Sequence, residues 1–201
     1  MSVLTDSGRH PGAGTLERGA SKRDRLVVSA RELLHSQGVE RTTLADIAAA
    51  AEVPLGNVYY YFKTKDEIVA AVIAARAEEL RSALAALERH RTPKARLKAF
   101  VRMLAAQSEQ TAQRGCPQGT LCSELDKRHD GLDERAAELM RVPIEWAERQ
   151  FRALGRRDAR DLAVALIAAY QGISVLTNAL HDPELMTREG RRLERWIDAI
   201  E

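Results

Sequence analysis

Apolar residues recur every three to four positions along most of the chain, which is the spacing of one face of an α-helix. The longest stripe stays apolar for about six turns and comprises Ile68, Val69, Val72, Ile73, Ala77, Leu80, Leu84 and Leu87. Capping pairs mark helix starts, as at Ser21 with Asp24. The pattern predicts nine helices: 21–38, 43–51, 55–62, 64–88, one that begins at 93, 120–126, 131–154, 158–180 and 183–200. We therefore expect an all-α protein.

Residues 42–65 contain two short predicted helices with a break between them. The first places Leu44, Ile47 and Ala48 on one face. It ends ahead of Pro54, because the residue before a proline disfavours helical dihedrals. Two short helices joined by a tight turn are the helix-turn-helix arrangement, in which the second helix enters the major groove of DNA.

The second helix of this pair carries side chains suited to nucleic acid. Val58 and Phe62 are four residues apart and can face the core, which leaves Asn57 and tyrosines 59–61 largely outside. Tyrosine hydroxyls and lysine ammoniums bind phosphate oxygens, and asparagine can bind a base edge. Residues 53–65 include two lysines and no acid. The alternative is an ordinary helical hairpin with solvent-facing tyrosines.

The motif TTLADIAAAAEV from Thr42, followed by GNVYYYFKTKDEI from Gly56, resembles the N-terminal domain of the TetR family of bacterial transcriptional regulators. The resemblance spans residues 26–73 and implies a homodimer whose N-terminal domain binds operator DNA. It also implies a variable helical C-terminal domain, in which a ligand changes the affinity for DNA. By position, the implied DNA contacts are Thr43, Pro54, Leu55, Gly56, Asn57, Tyr59, Tyr60, Tyr61 and Lys65. Pro54 stands where many relatives have a serine, so we expect that hydroxyl contact to be missing.

The resemblance divides the chain into residues 21–66 for DNA binding and residues 67–201 for effector binding and dimerisation. Residues 1–20 are rich in glycine and have no apolar period, so we expect a disordered N-terminal arm. Alternatively, basic residues at its end could reach a minor groove; these are Arg9, Arg18, Lys22, Arg23 and Arg25.

Charge and composition narrow the function further. The net charge is only +2, so DNA binding would have to come from a local basic patch. The first residues do not form a secretory signal, and with only two cysteines we expect a reducing cytoplasm. The five histidines are scattered and no catalytic motif is present, so we expect no enzyme, cofactor or metal site.

The segment 162–180 has no charged residue and is long enough to cross a membrane. Gln171, Ser174 and Asn178 interrupt it, so we predict instead a soluble helix that is buried between its own domain and a second subunit. The resemblance implies that the last two helices form a four-helix dimer interface. The interface residues we expect are Ala168, Gly172, Val175, Leu193, Trp196 and Ile197.

An effector pocket is expected among the helices between residues 93 and 180, because small-molecule sites are largely apolar with a few polar groups. The candidates are Phe100, Met103, Gln107, Leu121, Leu125, Met140, Trp146, Phe151, Tyr170, Ser174 and Thr177. Each of them would also suit an ordinary core.

Cys116 and Cys122 do not have metal-ligand spacing. If 120–126 is helical, Cys122 lies in its first turn, where the helix dipole favours a thiolate, and Arg114 could act similarly on Cys116. Three hypotheses follow for a TetR-like regulator: a repressor released by a small molecule, a thiol sensor of oxidants or electrophiles, or a constitutive DNA-binding dimer. Inert cysteines are the alternative to the second hypothesis.

Overall fold

The computed structural model describes residues 21–201, and every regular element among them is a helix, which confirms the predicted all-α class. The predicted arm at residues 1–20 lies outside the described residues. The helices are α1 (Lys22–Gln37), α2 (Leu44–Ala50), α3 (Leu55–Tyr61), α4 (Lys65–Leu87), α5 (Pro93–Ala105), α6 (Ser108–Arg114), α7 (Pro117–Leu125), α8 (Leu132–Ala153), α9 (Ala159–Ala179) and α10 (Pro183–Ala199).

Two of these helices differ from the prediction. Helix α6 has only Thr111 and Ala112 as buried residues, so it shows no apolar stripe in the sequence. Helix α7 begins at Pro117, three residues before the predicted start at residue 120. A proline is compatible with the first helical position because its missing N–H has no partner there in any case. Only Gly115 and Cys116 separate α6 from α7.

The turn between α2 and α3 is closed by a left-handed residue, Glu52, whose φ is 53°. The Glu52 N–H donates to the Ala49 carbonyl and the Val53 N–H donates to the Ala48 carbonyl, which is the Schellman pattern of a helix C-terminus. Val53 is buried just after it. The helix therefore ends through a left-handed turn as well as through the proline that follows.

Helix α4 connects two hydrophobic cores. All eight residues of its predicted stripe are buried, so that prediction is confirmed. The first five, 68 to 77, pack with α1–α3 and with Leu121 and Leu125 of α7. The last three pack with α5, α8, α9 and α10. One rigid helix thus carries side chains into both halves of the molecule.

Polar contacts also join α7 to the N-terminal helices. Glu124 Oε2 accepts the Val39 N–H at 2.6 Å, just after α1. The His35 Nε2–H of α1 donates to the Gly115 carbonyl at 3.2 Å, in the turn between α6 and α7. Arg128, just after α7, donates to both carboxylate oxygens of Asp66 on α4, at 2.8 and 2.9 Å. Three polar contacts therefore join the helix-turn-helix unit to α7 and to the residues on either side of α7.

The left-handed conformation of Glu52 predicts that glycine stabilises this position. Glu52→Gly should raise the free energy of unfolding by about 0.5–1 kcal/mol, because glycine adopts positive φ without a Cβ clash. Ala49→Gly, three residues earlier within α2, should instead lower it by about 1 kcal/mol. Urea unfolding followed by circular dichroism measures both changes. A loss of stability in both variants would contradict the strain assigned to Glu52.

Candidate functional site

Helix α3 is anchored on one side and uncovered on the other. Val58 is fully buried and Phe62, at its C-terminal end, is buried beside it, as predicted. The opposite face presents Leu55 at 42%, Tyr59 at 48% and Tyr60 at 79% exposure. Large apolar and aromatic side chains exposed together on one surface are typical of a binding site. Gly56 lies on the same uncovered face, and apart from its own helix backbone and chain neighbours no atom of residues 21–201 lies within 4 Å of where its Cβ would be.

The third tyrosine of the run is placed differently. Tyr61 is half-buried and packs against the first core, and its ring meets the edge of Tyr60 at a centroid distance of 5.0 Å. The expectation that it lies largely outside is therefore wrong. Since successive helix residues point about 100° apart, three tyrosines in a row cannot share one face. The Tyr61 ring therefore contacts both the first core and the ring of Tyr60.

Basic side chains gather at the C-terminal end of α3. Lys63 Nζ donates to the Tyr59 carbonyl at 2.5 Å and is exposed. The Arg23 guanidinium lies 5.3 Å from the centre of the Phe62 ring, so the start of α1 is beside this end of α3. Exposed Lys22 precedes Arg23. These residues form a local basic patch, and sequence reasoning had assigned Lys22 and Arg23 only to the arm.

Two other predicted DNA contacts already have partners within the chain. Lys65 Nζ donates to the Val39 and Glu40 carbonyls at 2.9 and 3.3 Å. The exposed Thr43 caps α2, where its hydroxyl and its N–H both bond the Asp46 carboxylate. These hydrogen bonds lower the pKa of Asp46. Both residues have a structural role here, and their contact with DNA stays a prediction, as do the contacts of exposed Pro54 and half-buried Asn57.

One face of α9 is apolar and uncovered in the single chain. Its large side chains are Val164, Val175, Leu176 and Leu180, and Val175 is 65% exposed. Ala168 and Gly172 lie between them and are exposed as well. The exposed positions follow the helical period, so they form one continuous stripe, hereafter the α9 stripe. By length and composition α9 could also cross a membrane.

The residues predicted on α10 mostly belong to the chain's own core. Ile197 is fully buried inside the protomer, so its predicted place in a dimer interface is wrong. Trp196 is half-buried and meets Phe151 at a ring distance of 6.0 Å, and Leu193 packs on the same core. The outer face of α10 instead carries four exposed arginines, at positions 188, 191, 192 and 195. Arg188 and Arg192 pair with Asp182 and Glu189 at 3.7 and 3.3 Å, so part of this positive charge is balanced within the chain.

The predicted effector pocket is not a single chamber. Phe100, Met140 and Tyr170 line a space of about 20 Å³ between α5, α8 and α9. That volume holds about one water molecule. The other predicted residues are dispersed through the helical domain. Leu121 and Leu125 belong to the first core, Trp146 and Phe151 to the second, and Ser174 lies in the groove described below.

Thr177 is fully buried, and its hydroxyl has no hydrogen-bond partner among residues 21–201. The Trp146 Nε1–H donates to Glu88 at 2.9 Å, which satisfies its polar atom within the core. Thr177 and Trp146 do not line either of the two larger cavities described next, and their assignment to an effector site stays a prediction.

Two larger spaces are open to the surface. A cleft of about 280 Å³ lies between α1, α4, α5, α6 and the start of α7, and includes Met103 and Gln107 of the predicted pocket. A groove of about 510 Å³ lies between α7 and α9 and includes Cys116, Ser174 and Val175. The groove borders the α9 stripe through Val175.

The two cysteines have different surroundings. Cys116 is the buried N-cap of α7, and its sulfur accepts the Gly119 N–H at 3.4 Å and lies 3.8 Å from the Tyr170 hydroxyl oxygen. Cys122 is in the sixth position of α7 and donates its S–H to the Ala136 carbonyl at 3.1 Å. Burial raises the pKa of Cys122 to about 11. The prediction that the helix dipole favours a thiolate at Cys122 is therefore wrong.

Among residues 21–201, no three His, Cys, Asp or Glu side chains are grouped in a way that could hold a metal ion.

Comparison with known proteins places the chain in a family. The model described as "Bacterial regulatory proteins, tetR family" matches residues 26–72, and "Transcriptional regulator LmrA/YxaF-like, C-terminal domain" matches residues 93–191. Over 59 residues the chain is 39% identical to the HTH-type transcriptional regulator TtgR of Pseudomonas putida, and the match covers 29% of this chain and 28% of TtgR. It is 36% identical over 59 residues to the HTH-type transcriptional repressor KstR2 of Mycolicibacterium smegmatis, with 29% of each protein covered.

The fold extends this likeness over nearly the whole chain. A TetR transcriptional regulator from Legionella pneumophila superposes with a TM-score of 0.79 at 18% identity, covering 90% of this chain and 97% of that one. TtgR and KstR2 are each matched over less than a third of their length, while the two family models together span most of the described residues. The chain is therefore a member of the TetR family of bacterial transcriptional regulators.

Proposed function

We propose that the protein is a dimeric, operator-binding repressor that a small-molecule effector releases from DNA. The observation that carries the proposal is the uncovered face of α3, where Leu55, Tyr59 and Tyr60 are exposed above a fully buried Val58. Major-groove reading requires a helix that the core holds on one side and leaves free on the other. A regulator of this kind would act in the cytoplasm.

The basic patch at the end of α3 supports binding to DNA. Lys22, Arg23 and Lys63 are all exposed there. Phosphate contacts position a protein on the duplex, and groove contacts then specify the sequence. A local patch explains how a chain with a net charge of only +2 can bind a polyanion.

The α9 stripe supports a homodimer. A second copy of the chain would cover Val175, Leu176 and Leu180 and remove their apolar surface from water. Two subunits related by a two-fold axis would present two α3 helices to successive major grooves, about 34–36 Å apart, on a near-palindromic operator. The family relative KstR2 is named a repressor, which supports the direction of regulation.

The fastening of α7 to the helix-turn-helix unit supports control by a ligand. Val39 and Glu124, and His35 and Gly115, join the two parts through hydrogen bonds. A rearrangement of α7 would therefore move α1. Release requires a ligand that binds the DNA-incompetent state more tightly, and a 100-fold preference corresponds to about 2.7 kcal/mol. A constitutive DNA-binding dimer would show no such release.

Tyr59→Ala should weaken operator binding about ten- to hundredfold, because the loss of a hydrogen bond to a charged phosphate costs about 1.5–3 kcal/mol. A gel-shift titration at fixed salt, against DNA that flanks the gene, measures this. The thermal unfolding midpoint should stay unchanged because Tyr59 is 48% exposed. Tyr59→Phe separates the hydroxyl from the ring. Unchanged affinity in Tyr59→Ala would remove α3 as the DNA-reading helix.

Val175→Asp should dissociate the dimer. A carboxylate buried without a partner in an apolar interface costs several kcal/mol, so the dimer dissociation constant should rise about a hundredfold or more. Sedimentation velocity measures the change. Ala86→Asp adds the same charge at an exposed position of α4 and serves as the control. A Val175→Asp protein that is still dimeric would show that the interface lies elsewhere.

A thiol sensor is the second candidate function, and the surroundings of Cys116 favour that residue. Its sulfur is the N-cap of α7, and α7 is fastened to the DNA-binding unit. Cys122 is the weaker candidate because its pKa of about 11 keeps it protonated at neutral pH, and the thiolate is the reactive form.

If a thiol controls DNA binding, Cys116→Ser should abolish release by an electrophile such as N-ethylmaleimide. Cys122→Ser should retain that release. Burial, the largest cause of the raised pKa of Cys122, persists in the Cys116→Ser protein, so Cys122 there should react more slowly than an ordinary thiol at neutral pH, as measured by mass spectrometry. Release that persists when both cysteines are replaced would exclude the thiol mechanism.

A further inference from the structure

The cleft of about 280 Å³ contains one cation, Arg76, that has no ion-pair partner among residues 21–201. Its charged lining consists of Arg31, Glu32, Arg76 and Glu79, together with His35. The Arg31 guanidinium lies 2.5 Å from the Glu79 carboxylate and 3.6 Å from the Glu32 carboxylate. Arg31 therefore forms ion pairs with both acidic residues of the cleft. Among residues 21–201, no hydrogen bond or ion pair engages the Arg76 guanidinium.

The position of Arg76 makes this isolation costly. The side chain is partly buried, and burial, followed by the nearby Arg31, lowers the pKa of Arg76 from its ordinary value, although the charges of Glu79 and Glu32 act in the opposite direction. An arginine nevertheless stays charged in proteins. The guanidinium therefore loses hydration without gaining a direct partner, and an anion that entered the cleft would supply one.

The rest of the lining is mixed: glutamines 107, 110 and 118 are interspersed with a group of apolar side chains from α4 and α5. Helix α4 contributes Leu80 and Ala83 one to two turns after Arg76, and α5 contributes Met103 and Leu104. Leu80, Leu104 and Gln118 also line the small interior space beside Phe100 and Tyr170. The apolar end of the cleft thus leads towards the second core, whereas the charged end faces α1.

We propose that this cleft binds a small amphiphilic organic acid, with its carboxylate on Arg76 and its hydrocarbon part along Leu80, Met103 and Leu104. A guanidinium and a carboxylate match in geometry and form two parallel hydrogen bonds. The cleft is open to the surface and, at about 280 Å³, is large enough to admit an acid with a short hydrocarbon chain. The inference rests on the proposed effector-controlled function and names the ligand class and its place.

A ligand in this cleft would touch the DNA-binding unit directly. Arg31, Glu32 and His35 belong to α1, whereas Met103 and Gln107 lie in or just after α5. The His35 hydrogen bond to Gly115 closes the junction next to the cleft. An acid that fills the space would change the spacing between α1 and the turn before α7, which is where the helix-turn-helix unit is held.

The test is isothermal titration calorimetry of octanoate into the full-length protein without DNA. The wild type should bind octanoate, and Arg76→Gln should bind it about ten- to hundredfold more weakly. Arg81→Gln is the matched control, because Arg81 lies on the same helix but at the exposed surface beside Glu138. It should bind as the wild type does. Octanamide, which has no charge, should bind the wild type as weakly as octanoate binds Arg76→Gln.

A second variant keeps the test decisive if Arg76→Gln fails to fold. Ala83→Phe leaves the guanidinium in place and fills the cleft, so it should abolish octanoate binding. Equal affinity of the wild type and Arg76→Gln would overturn the proposal. So would the absence of binding to every unbranched acid from butyrate to dodecanoate below its micellar concentration. The titration contains no DNA, so a protein that fails to bind an operator can still bind octanoate, and the two failures are distinguishable.

Discussion

The burial of one face of α4 is the interaction on which the rest of the structure depends. Residues 68–77 complete the core of the helix-turn-helix unit, and residues 80–87 complete the core of the helical domain. Each of the two cores would lack part of its packing without the side chains of α4. Because an α-helix is stiff over this length, about 1.5 Å per residue, the two halves cannot change their relative position independently of it. A signal between them must therefore move α4 or the contacts that lie beside it.

The contacts beside α4 show how such movement could be controlled. Glu124 and Gly115 fasten α7 to the end of α1, and Arg128 fastens the end of α7 to Asp66 at the start of α4. Each contact involves few atoms at the edge of a well-packed core. Hydrogen bonds contribute about 0.5–1.5 kcal/mol each, whereas a fully buried aliphatic side chain contributes about 1.5–3 kcal/mol. The polar junction can therefore rearrange at lower cost than either core.

Much of the fold could be predicted from the sequence because helices with one buried face show it in their period. The stripe of α4 is an example, and so are Val58 and Phe62 in and just after α3. The prediction failed where the spacing of apolar residues marked a helix face but did not show which part of the protein packs against that face. Ile197 and Val175 are both apolar residues of the last two helices, yet the first is in the protomer's own core and the second is 65% exposed. A single sequence does not show whether an apolar residue packs inside its own protomer or stays exposed on the protomer's surface.

The two candidate sites also differ in how far the sequence predicts them. The exposed face of α3 could be derived from a local pattern, since its residues are neighbours in the chain. The cleft could not, because Arg31, Arg76 and Gln107 lie on separate elements and only the packed fold brings them together. In the sequence Arg76 looks like a solvent-facing residue of an amphipathic helix. Its proposed role follows from the pairing of Arg31 with both Glu32 and Glu79, which leaves the neighbouring guanidinium without an ion pair in the part of the chain that the structure describes. A ligand site can thus be defined by a charge that the fold leaves without a partner.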